Sequence, residues 1–386
     1  MLKAPNFLES IKKKKFFRRL LCRPLSIVGI DIGSSFIKVA EISFVEKKPL
    51  MKAAGIIGIP DGIIEDGRIL NIRALSALLK KLWVDSALTC FDVSAAVGGR
   101  FVLVREAVFP AMSSEELEIA IKWDIGKYVP YEENSYYYDF AILDVNDAFG
   151  GEFDEQSRVL LVASPIKTVN DIVDALKEAH LKVWAVDVEP LAMAETLDVS
   201  FEEANIIVDI GCFQTQIIIF SGHVPSFSEK ISWGGQKFTE LIMEEFGLEF
   251  DEAEKFKLSQ NEDLIELKIE PELKLEKEEI WQKQYRLEKQ FKRLSGELSS
   301  EISRVINNYF SKNPQANIEK IYLIGGGANL KGLSADIEAE FKKIPVSVHN
   351  PLSGLDISHD IDQNYINKAA PQLTVAIGLA LRGGQI

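Results

Sequence analysis

The stretch Ile27-Val28-Gly29-Ile30-Asp31-Ile32-Gly33-Ser34-Ser35 decides the fold. An apolar run meets an aspartate and a Gly-Ser turn, and Phe36-Ile37-Lys38-Val39-Ala40-Glu41-Ile42 then resumes the apolar pattern. Such a run, bounded by turn residues, reads as a buried strand, a tight turn and the returning strand of a hairpin. The pattern recurs at Asn205-Ile206-Ile207-Val208-Asp209-Ile210-Gly211-Cys212-Phe213. A duplication at this interval predicts two related lobes facing one cleft. The length of 386 residues agrees, because one hydrophobic core rarely grows that large.

The hairpin residues carry a chemistry. A glycine turn lets backbone N–H groups approach phosphate oxygens, Ser34 and Ser35 add hydroxyl donors, and Lys38 can place a charge on a phosphate. Asp31 and Asp209 would face each other at the bottom of the two hairpins, where two carboxylates suit a hydrated magnesium ion bridging nucleotide phosphates. A third element, Leu323-Ile324-Gly325-Gly326-Gly327-Ala328-Asn329-Leu330, reads as strand, glycine turn and helix. Its bare backbone can lie against a flat nucleoside. Each piece alone is an ordinary turn. Their order, about 175 and 115 residues apart, gives the signal. The sequence has no Walker A motif and no GxGxxG, which leaves P-loop and Rossmann readings without support.

Between the hairpins, residues 101–182 read as a compact α+β unit. It holds a strand from Phe101 closed by Pro110, a Ser113–Glu116 capping box, a helix over 114–128, strands at 136–145 and 158–163, a Gly150-Gly151 turn and a second amphipathic helix over 169–179. Residues 237–311 read as mostly helical, with one long amphipathic helix from Ile280 to Tyr309 and a charged stretch before it. The expected organisation is therefore a basic segment at 1–26; a first lobe from 27–104, 183–200 and 351–386; the inserted unit at 101–182; a second lobe from 201–236 and 305–350; and a helical subdomain at 237–304.

Composition narrows the function. The net charge is −14, and residues 1–26 hold eight Lys/Arg against one Glu, so +7 there leaves −21 on the remainder. An acidic body argues against general nucleic-acid binding. The run Lys12-Lys13-Lys14-Lys15-Phe16-Phe17-Arg18-Arg19 reads either as a solvated tail or as an attachment to an anionic membrane, with Phe7, Leu8, Phe16, Phe17 and Leu20 as apolar contacts. Three scattered cysteines and four histidines show no metal-ligand spacing, and no apolar run approaches a membrane-spanning length.

The three glycine elements resemble the phosphate-1, phosphate-2 and adenosine motifs of the actin, DnaK-type chaperone and sugar kinase superfamily. That resemblance implies an actin-like (ribonuclease H-like) α/β fold of duplicated lobes around an ATP and magnesium cleft. Asp31, Gly33, Ser34, Ser35 and Lys38 match the first phosphate hairpin, Asp209 and Gly211 the second, and Gly325, Gly326, Gly327 and Asn329 the adenosine loop. Cys212 and Phe213 replace the small or hydroxyl residues usual in the second hairpin. Glu254 and Lys257 resemble a nucleoside-contacting Glu-x-x-Lys helix, and read equally as a surface ion pair. Asp187 reads as a helix N-cap, or as the polar residue that orients an attacking water.

Val108-Phe109-Pro110-Ala111-Met112-Ser113 and Lys122-Trp123-Asp124-Ile125-Gly126-Lys127-Tyr128-Val129-Pro130-Tyr131 resemble the extra subdomain of the FtsA and PilM families, the Lys-Tyr-x-Pro-Tyr stretch being more like PilM. Membership of the PilM family implies a cytoplasmic, at most slowly hydrolysing ATP-binding scaffold at the inner-membrane platform of type IV pili. Its partner would be the cytoplasmic N-terminal peptide of a PilN-like membrane protein, docked in a groove of the extra subdomain along helix 114–128 and the neighbouring strands. Trp123, Tyr128 and Tyr131 are the candidate anchors, with packing inside the subdomain as the other reading. The competing functions are an FtsA-like filament-forming ATPase and a small-molecule kinase or phosphatase of the same superfamily.

Overall fold

A computed structural model describes residues 26–45, 48–65, 67–99, 102–143, 156–197, 204–259, 277–314, 316–341 and 343–385. The basic segment before Ser26, the Gly150-Gly151 turn and the charged stretch at 260–276 lie outside them.

The first hairpin forms as β1 (Ser26–Ile32) and β2 (Phe36–Val45), antiparallel, with Asp31 opposite Lys38. β3 (Lys48–Gly58) extends it, and β4 (Ile64–Glu65) with β5 (Arg68–Ile69) makes a small separate hairpin. Asn71 caps α1 (Ile72–Asp85) by accepting from the Ala74 N–H. β6 (Asp92–Val97) then lies parallel to β1. An excursion through β7 (Leu103–Pro110), α2 (Ser114–Tyr128), β8 (Tyr136–Ile142) and β9 (Gln156–Pro165) follows. The chain returns by α3 (Ile166–Glu178), β10 (Lys182–Val188) and α4 (Glu189–Glu195).

The second lobe repeats the plan. β11 (Ala204–Ile210), β12 (Thr215–Ser221) and β13 (Val224–Ile231) are antiparallel; then come α5 (Gln236–Phe246), α6 (Phe250–Ser259) and α7 (Lys277–Lys312). β14 (Ile318–Ile324), a 3-10 turn (Gly326–Asn329), α8 (Leu333–Glu340) and β15 (Val346–Val348) complete it. β16 (Asp356–Ile357), α9 (Gln363–Ala369) and α10 (Thr374–Gln385) return to the first lobe.

The duplication holds at the level of topology. The first sheet runs β10-β6-β1-β2-β3-β16 and the second β13-β12-β11-β14-β15. Each places an antiparallel three-strand meander beside two further strands parallel to its first. This is the actin-like architecture of duplicated α/β lobes. Both lobes lean on α4 and α10, whose residues Ala192, Met193, Val375 and Leu379 share one buried cluster with Ile207, Ile218 and Phe220. The two helices cross so closely that a Cβ on Gly378 would lie 1.8 Å from the Ala192 carbonyl oxygen, so only glycine fits there.

Packing corrects two boundaries. The helix expected at 169–179 belongs to the first lobe, not the inserted unit: Val169, Ile172, Ala175 and Leu176 of α3 are buried with Leu75, Leu79 and Val93. The inserted unit is the antiparallel sheet β7-β9-β8 covered by Leu117, Ile121 and Ile125 of α2. Likewise α7 spans two cores. Leu287 packs with α5 and α6, but Leu294, Leu298 and Ile302 already sit in the core under the second sheet, so the helical subdomain ends near residue 290 rather than 304. The helix expected from Ala328 starts only at Leu333, after the 3-10 turn.

Candidate functional site

The C-terminal ends of the parallel strands open on a cleft of about 1960 Å³ between the lobes. At its floor Lys38 Nζ donates to Asp31 Oδ2 at 2.8 Å. Burial alone would pull the Lys38 pKa down; Asp31 and Asp209, with Glu189 behind them, outweigh it and leave it raised. Asp209 is pushed up to about 6, first by burial and then by Asp31 and Glu189, against the opposing pull of Lys38 and Lys230. Two carboxylates from the two hairpins therefore share one lysine.

The turns are as bare as the sequence suggests. The Gly33 N–H donates to the Phe36 carbonyl and the Gly211 N–H to that of Gln214, each at 3.0 Å, closing the two hairpin tips. Gly325 has φ +81, and a Cβ there would lie 2.3 Å from Asp209 Oδ1 and 2.7 Å from the Ile210 carbonyl, so the third loop is pressed onto the second hairpin. Its N–H donates to the Pro371 carbonyl, and Asn329 Nδ2 to that of Lys368, both at 2.9 Å, which ties the second lobe to the first across the cleft mouth. Cys212 lines the same cleft. Burial raises its thiol pKa, and the neighbouring Ser35 hydroxyl pulls the other way.

Glu254 and Lys257 line the opposite end. Lys257 Nζ donates to Glu254 Oε1 at 2.7 Å, Thr239 Oγ1 at 2.8 Å and the Gly235 carbonyl at 3.3 Å. The pair is an ion pair, as one reading had it, but largely buried and built into the cleft wall. Asp31, Gly33, Ser34, Ser35, Lys38, Asp209, Gly211, Glu254, Lys257, Gly325, Gly326, Gly327 and Asn329 all line this one cavity.

Asp187 does not join them. Its Oδ2 accepts from Arg382 Nε and its Oδ1 from the Val188 N–H, and it is not the helix cap: the N-cap of α4 is Val188, without a side-chain bond. The carboxylate that reaches the cleft is Glu189, 3.7 Å from Lys230 Nζ. Sequence reasoning missed both, although a carboxylate heading the first connecting helix was a visible signal. Tyr128 and Tyr131 are corrected as exposed anchors: they pack inside the inserted unit against Phe109 and Tyr136 at ring separations of 5.5 and 6.0 Å. Trp123 is 83% exposed, and Ile119, one turn before it, is 59% exposed.

The bare turns, one lysine between two carboxylates and a second wall rich in polar groups suit an elongated polyanion carrying a planar base. Among the described residues no group of three or more His, Cys, Asp or Glu side chains could hold a metal ion by itself.

The sequence model of the family described as type IV pilus assembly protein PilM matches residues 29–384. The chain belongs to that family. The match contains both hairpins, the glycine loop and the whole inserted unit, so cleft and insertion are parts of one PilM-family protein. Among solved structures, the chain is similar to one described as the PilM–PilN type IV pilus biogenesis complex, with 25% identity, a TM-score of 0.76, and coverage of 94% of this chain and 99% of that one. It shares its fold with the ethanolamine utilization protein EutJ from Carboxydothermus hydrogenoformans, at 15% identity and a TM-score of 0.53 over 98% and 99% of the two chains. Among the described residues no helix is long and apolar enough to cross a membrane.

Proposed function

We propose that this PilM-family protein is an ATP-binding scaffold of the type IV pilus platform, held at the cytoplasmic face of the inner membrane by the N-terminal peptide of a PilN-like membrane protein. The observation that carries the reading is the convergence of three separated glycine turns on Lys38, Asp31 and Asp209 at the floor of one interlobe cleft. Gly33, Gly211 and the Gly325 loop would receive the phosphates on backbone N–H groups. Lys38 would supply the fixed positive charge, and Asp31 and Asp209 would hold magnesium through water. The wall of Glu254, Lys257 and Asn329 would take the nucleoside. Magnesium bound with the nucleotide would supply the positive charge that screens Asp31 and Asp209 from each other, which would favour the closed lobes.

Two surfaces would be open to the partner. One is the exposed Ile119–Trp123 ridge of α2. The other is an arm of the cleft running between Asp61–Leu70 and the start of α3, which ends at Pro165 beside the unit. The reading is tested by calorimetric titration with magnesium ATP, alone and with a synthetic PilN-like N-terminal peptide. Binding of both, each altering the other's affinity by the same factor, is the expected result. Binding of ATP without the peptide would remove the scaffold role and leave the cleft. Trp123→Ala and Lys167→Ala, read by peptide affinity, assign the surface.

A further inference from the structure

A second cavity, of about 670 Å³, lies between β13 and α7 and shares only Lys230 with the nucleotide cleft. Its size suits a small molecule or a short peptide. One wall is Ile231, Ser232 and Trp233, where β13 ends; the other is Gly296, Ser300 and Arg304, spaced four residues apart on one face of α7. β13 is an edge of the second sheet and pairs only with β12. One row of its backbone N–H and C=O groups therefore has no strand partner. Among the described residues no backbone hydrogen bond joins that row to another element. β7 of the inserted unit passes near β13 without pairing, and none of its residues lines the cavity.

Gly296 is not explained by packing. It stands in the middle of a 36-residue helix, where glycine weakens the helix relative to alanine. A Cβ built there would meet nothing within 4 Å, so no neighbour demands its absence. Its effect is to bare the α7 backbone opposite the β13 edge, which lets another chain pass close. The Ser300 hydroxyl donates to the Gly296 carbonyl at 2.9 Å and stays with its own helix. Trp233 is buried, and among the described residues its Nε1 has no hydrogen-bond partner. The charges around the cavity are unevenly satisfied. Arg304 donates to Glu229 Oε1 at 2.9 Å and Glu301 Oε2 at 3.0 Å, and Arg293 to Glu297 Oε1 at 3.2 Å, so each glutamate there has an arginine. The lysines are held loosely: Lys237 Nζ is 4.0 Å from Glu297, and Lys230 Nζ 3.7 Å from Glu189. The charge left open to a new partner is positive.

We infer that this groove takes a short acidic peptide of a partner protein, bound in extended conformation beside β13 as a further strand. An unpaired edge supplies main-chain hydrogen bonds to such a segment, and the surrounding side chains choose its sequence. Here the bare backbone at Gly296 leaves room for the peptide side chains that face α7. Lys237 and Lys230 favour carboxylates on it over ammonium groups. The occupant is a peptide rather than a free anion, because a small anion would leave the β13 edge and the gap at Gly296 unused. The inference goes beyond the function proposed above. It names a separate surface on the second lobe that needs neither nucleotide nor the inserted unit.

The test is fluorescence anisotropy of the full chain with a fluorescein-labelled, end-capped peptide, Val-Glu-Val-Asp-Val. Two counterparts accompany it, one with lysine for both acids and one with proline for the central valine, which removes a main-chain donor. Saturable binding of the acidic peptide is expected, with each counterpart weaker by about fivefold or more. Gly296→Leu fills the groove with a better helix former, so it should lower peptide affinity by about tenfold or more without lowering the thermal unfolding midpoint. Lys237→Glu should lower affinity by about fivefold or more. Both positions lie outside the cleft, and magnesium ATP binding should not change in either variant. No saturable binding of the acidic peptide overturns the inference, and so does parental affinity in the Gly296→Leu chain. Equal binding of the lysine peptide overturns the acidic preference, and full displacement by an equal concentration of free glutarate overturns the choice of a peptide. A dimer in sedimentation velocity that Gly296→Leu abolishes would assign the groove to a second copy of the chain instead.

Discussion

Replacing Asp209 by Asn should stabilise the nucleotide-free protein while weakening its hold on magnesium nucleotide. The folded protein raises the Asp209 pKa from 3.8 to about 6, through burial and the nearby Asp31 and Glu189. A carboxylate whose folded pKa lies above its unfolded value binds its proton more tightly in the native state. Stability therefore falls as pH rises from about 4 to about 6 and stays reduced above that range. Two pKa units correspond to about 3 kcal/mol. Asn has the shape and neutrality of the protonated acid, so the variant escapes this cost, and the attraction of Lys38 is already contained in the shifted value. Linkage gives a gain of about 1.5 kcal/mol at pH 5 and about 3 kcal/mol at pH 8, each an upper bound because the cleft opens to water. Urea unfolding of both proteins without nucleotide, at the two pH values, measures the gap. A variant less stable than the parent at pH 8, or a gap that does not grow with pH, would refute the argument that Asp209 is a charge held against its surroundings. Calorimetry on the same samples should show magnesium ATP affinity reduced at least about tenfold, the cost of removing one charged ligand group.

Gly325→Ala should abolish magnesium ATP binding and cost about 1–3 kcal/mol of stability, because φ of +81 is strained for alanine and its Cβ would meet Asp209 Oδ1; calorimetry showing unchanged affinity would mean that the loop does not contact the ligand. Glu41→Gln should destabilise by about 2–4 kcal/mol in denaturant, since the amide brings an N–H₂ to a site built entirely of donors; a loss below about 0.5 kcal/mol would show that the buried carboxylate does not hold the loop at 86–91. Asp187→Asn should loosen Arg382 at a cost of about 1 kcal/mol and leave ATP affinity untouched, and a tenfold loss of affinity would return Asp187 to the site.

The hairpins were legible in the sequence because their signal is local: an apolar run, an aspartate and a glycine turn fit within about ten residues, and strand pairing follows from the turn. β3 and β13 were missed because Lys48–Gly58 mixes lysine, alanine and glycine, while Val224–Ile231 alternates apolar residues with Ser, Glu and Lys. Neither has the β-branched density that marks a buried strand. The periodicity of α3 told correctly which face is apolar, but periodicity says nothing about which sheet that face meets. Two helical amphipaths flanking the same insertion look alike until Val169 and Ile172 are seen against Leu75 and Leu79. Asp187 and Glu189 pose the same difficulty at finer scale. They stand two residues apart where β10 becomes α4, so which of them faces the cleft depends on how the helix starts, and Arg382, which claims Asp187, is 195 residues away.

The duplicated hairpins differ at the position opposite the aspartate, and that difference leaves the cleft floor one positive charge short. Lys38 stands opposite Asp31 in the first hairpin; at the equivalent place opposite Asp209 the second hairpin has Gln216, whose Nε2 donates to Ser228 Oγ at 3.1 Å. The floor therefore holds Asp31, Asp209 and Glu189 against Lys38 and Lys230, one negative charge in excess. Gln216→Lys should complete the symmetry. A second lysine would give Asp209 its own cross-strand partner, return its pKa toward 3.8, and recover part of the stability gained by Asp209→Asn at pH 8. It should also weaken the dependence of nucleotide binding on magnesium, because the repulsion that the metal offsets would already be neutralised. Calorimetric titration with ATP in chelator and in excess magnesium measures this. A variant whose nucleotide affinity depends on magnesium as steeply as the parent's would show that the metal acts on the ligand alone, and not on the unbalanced pair of carboxylates between the lobes.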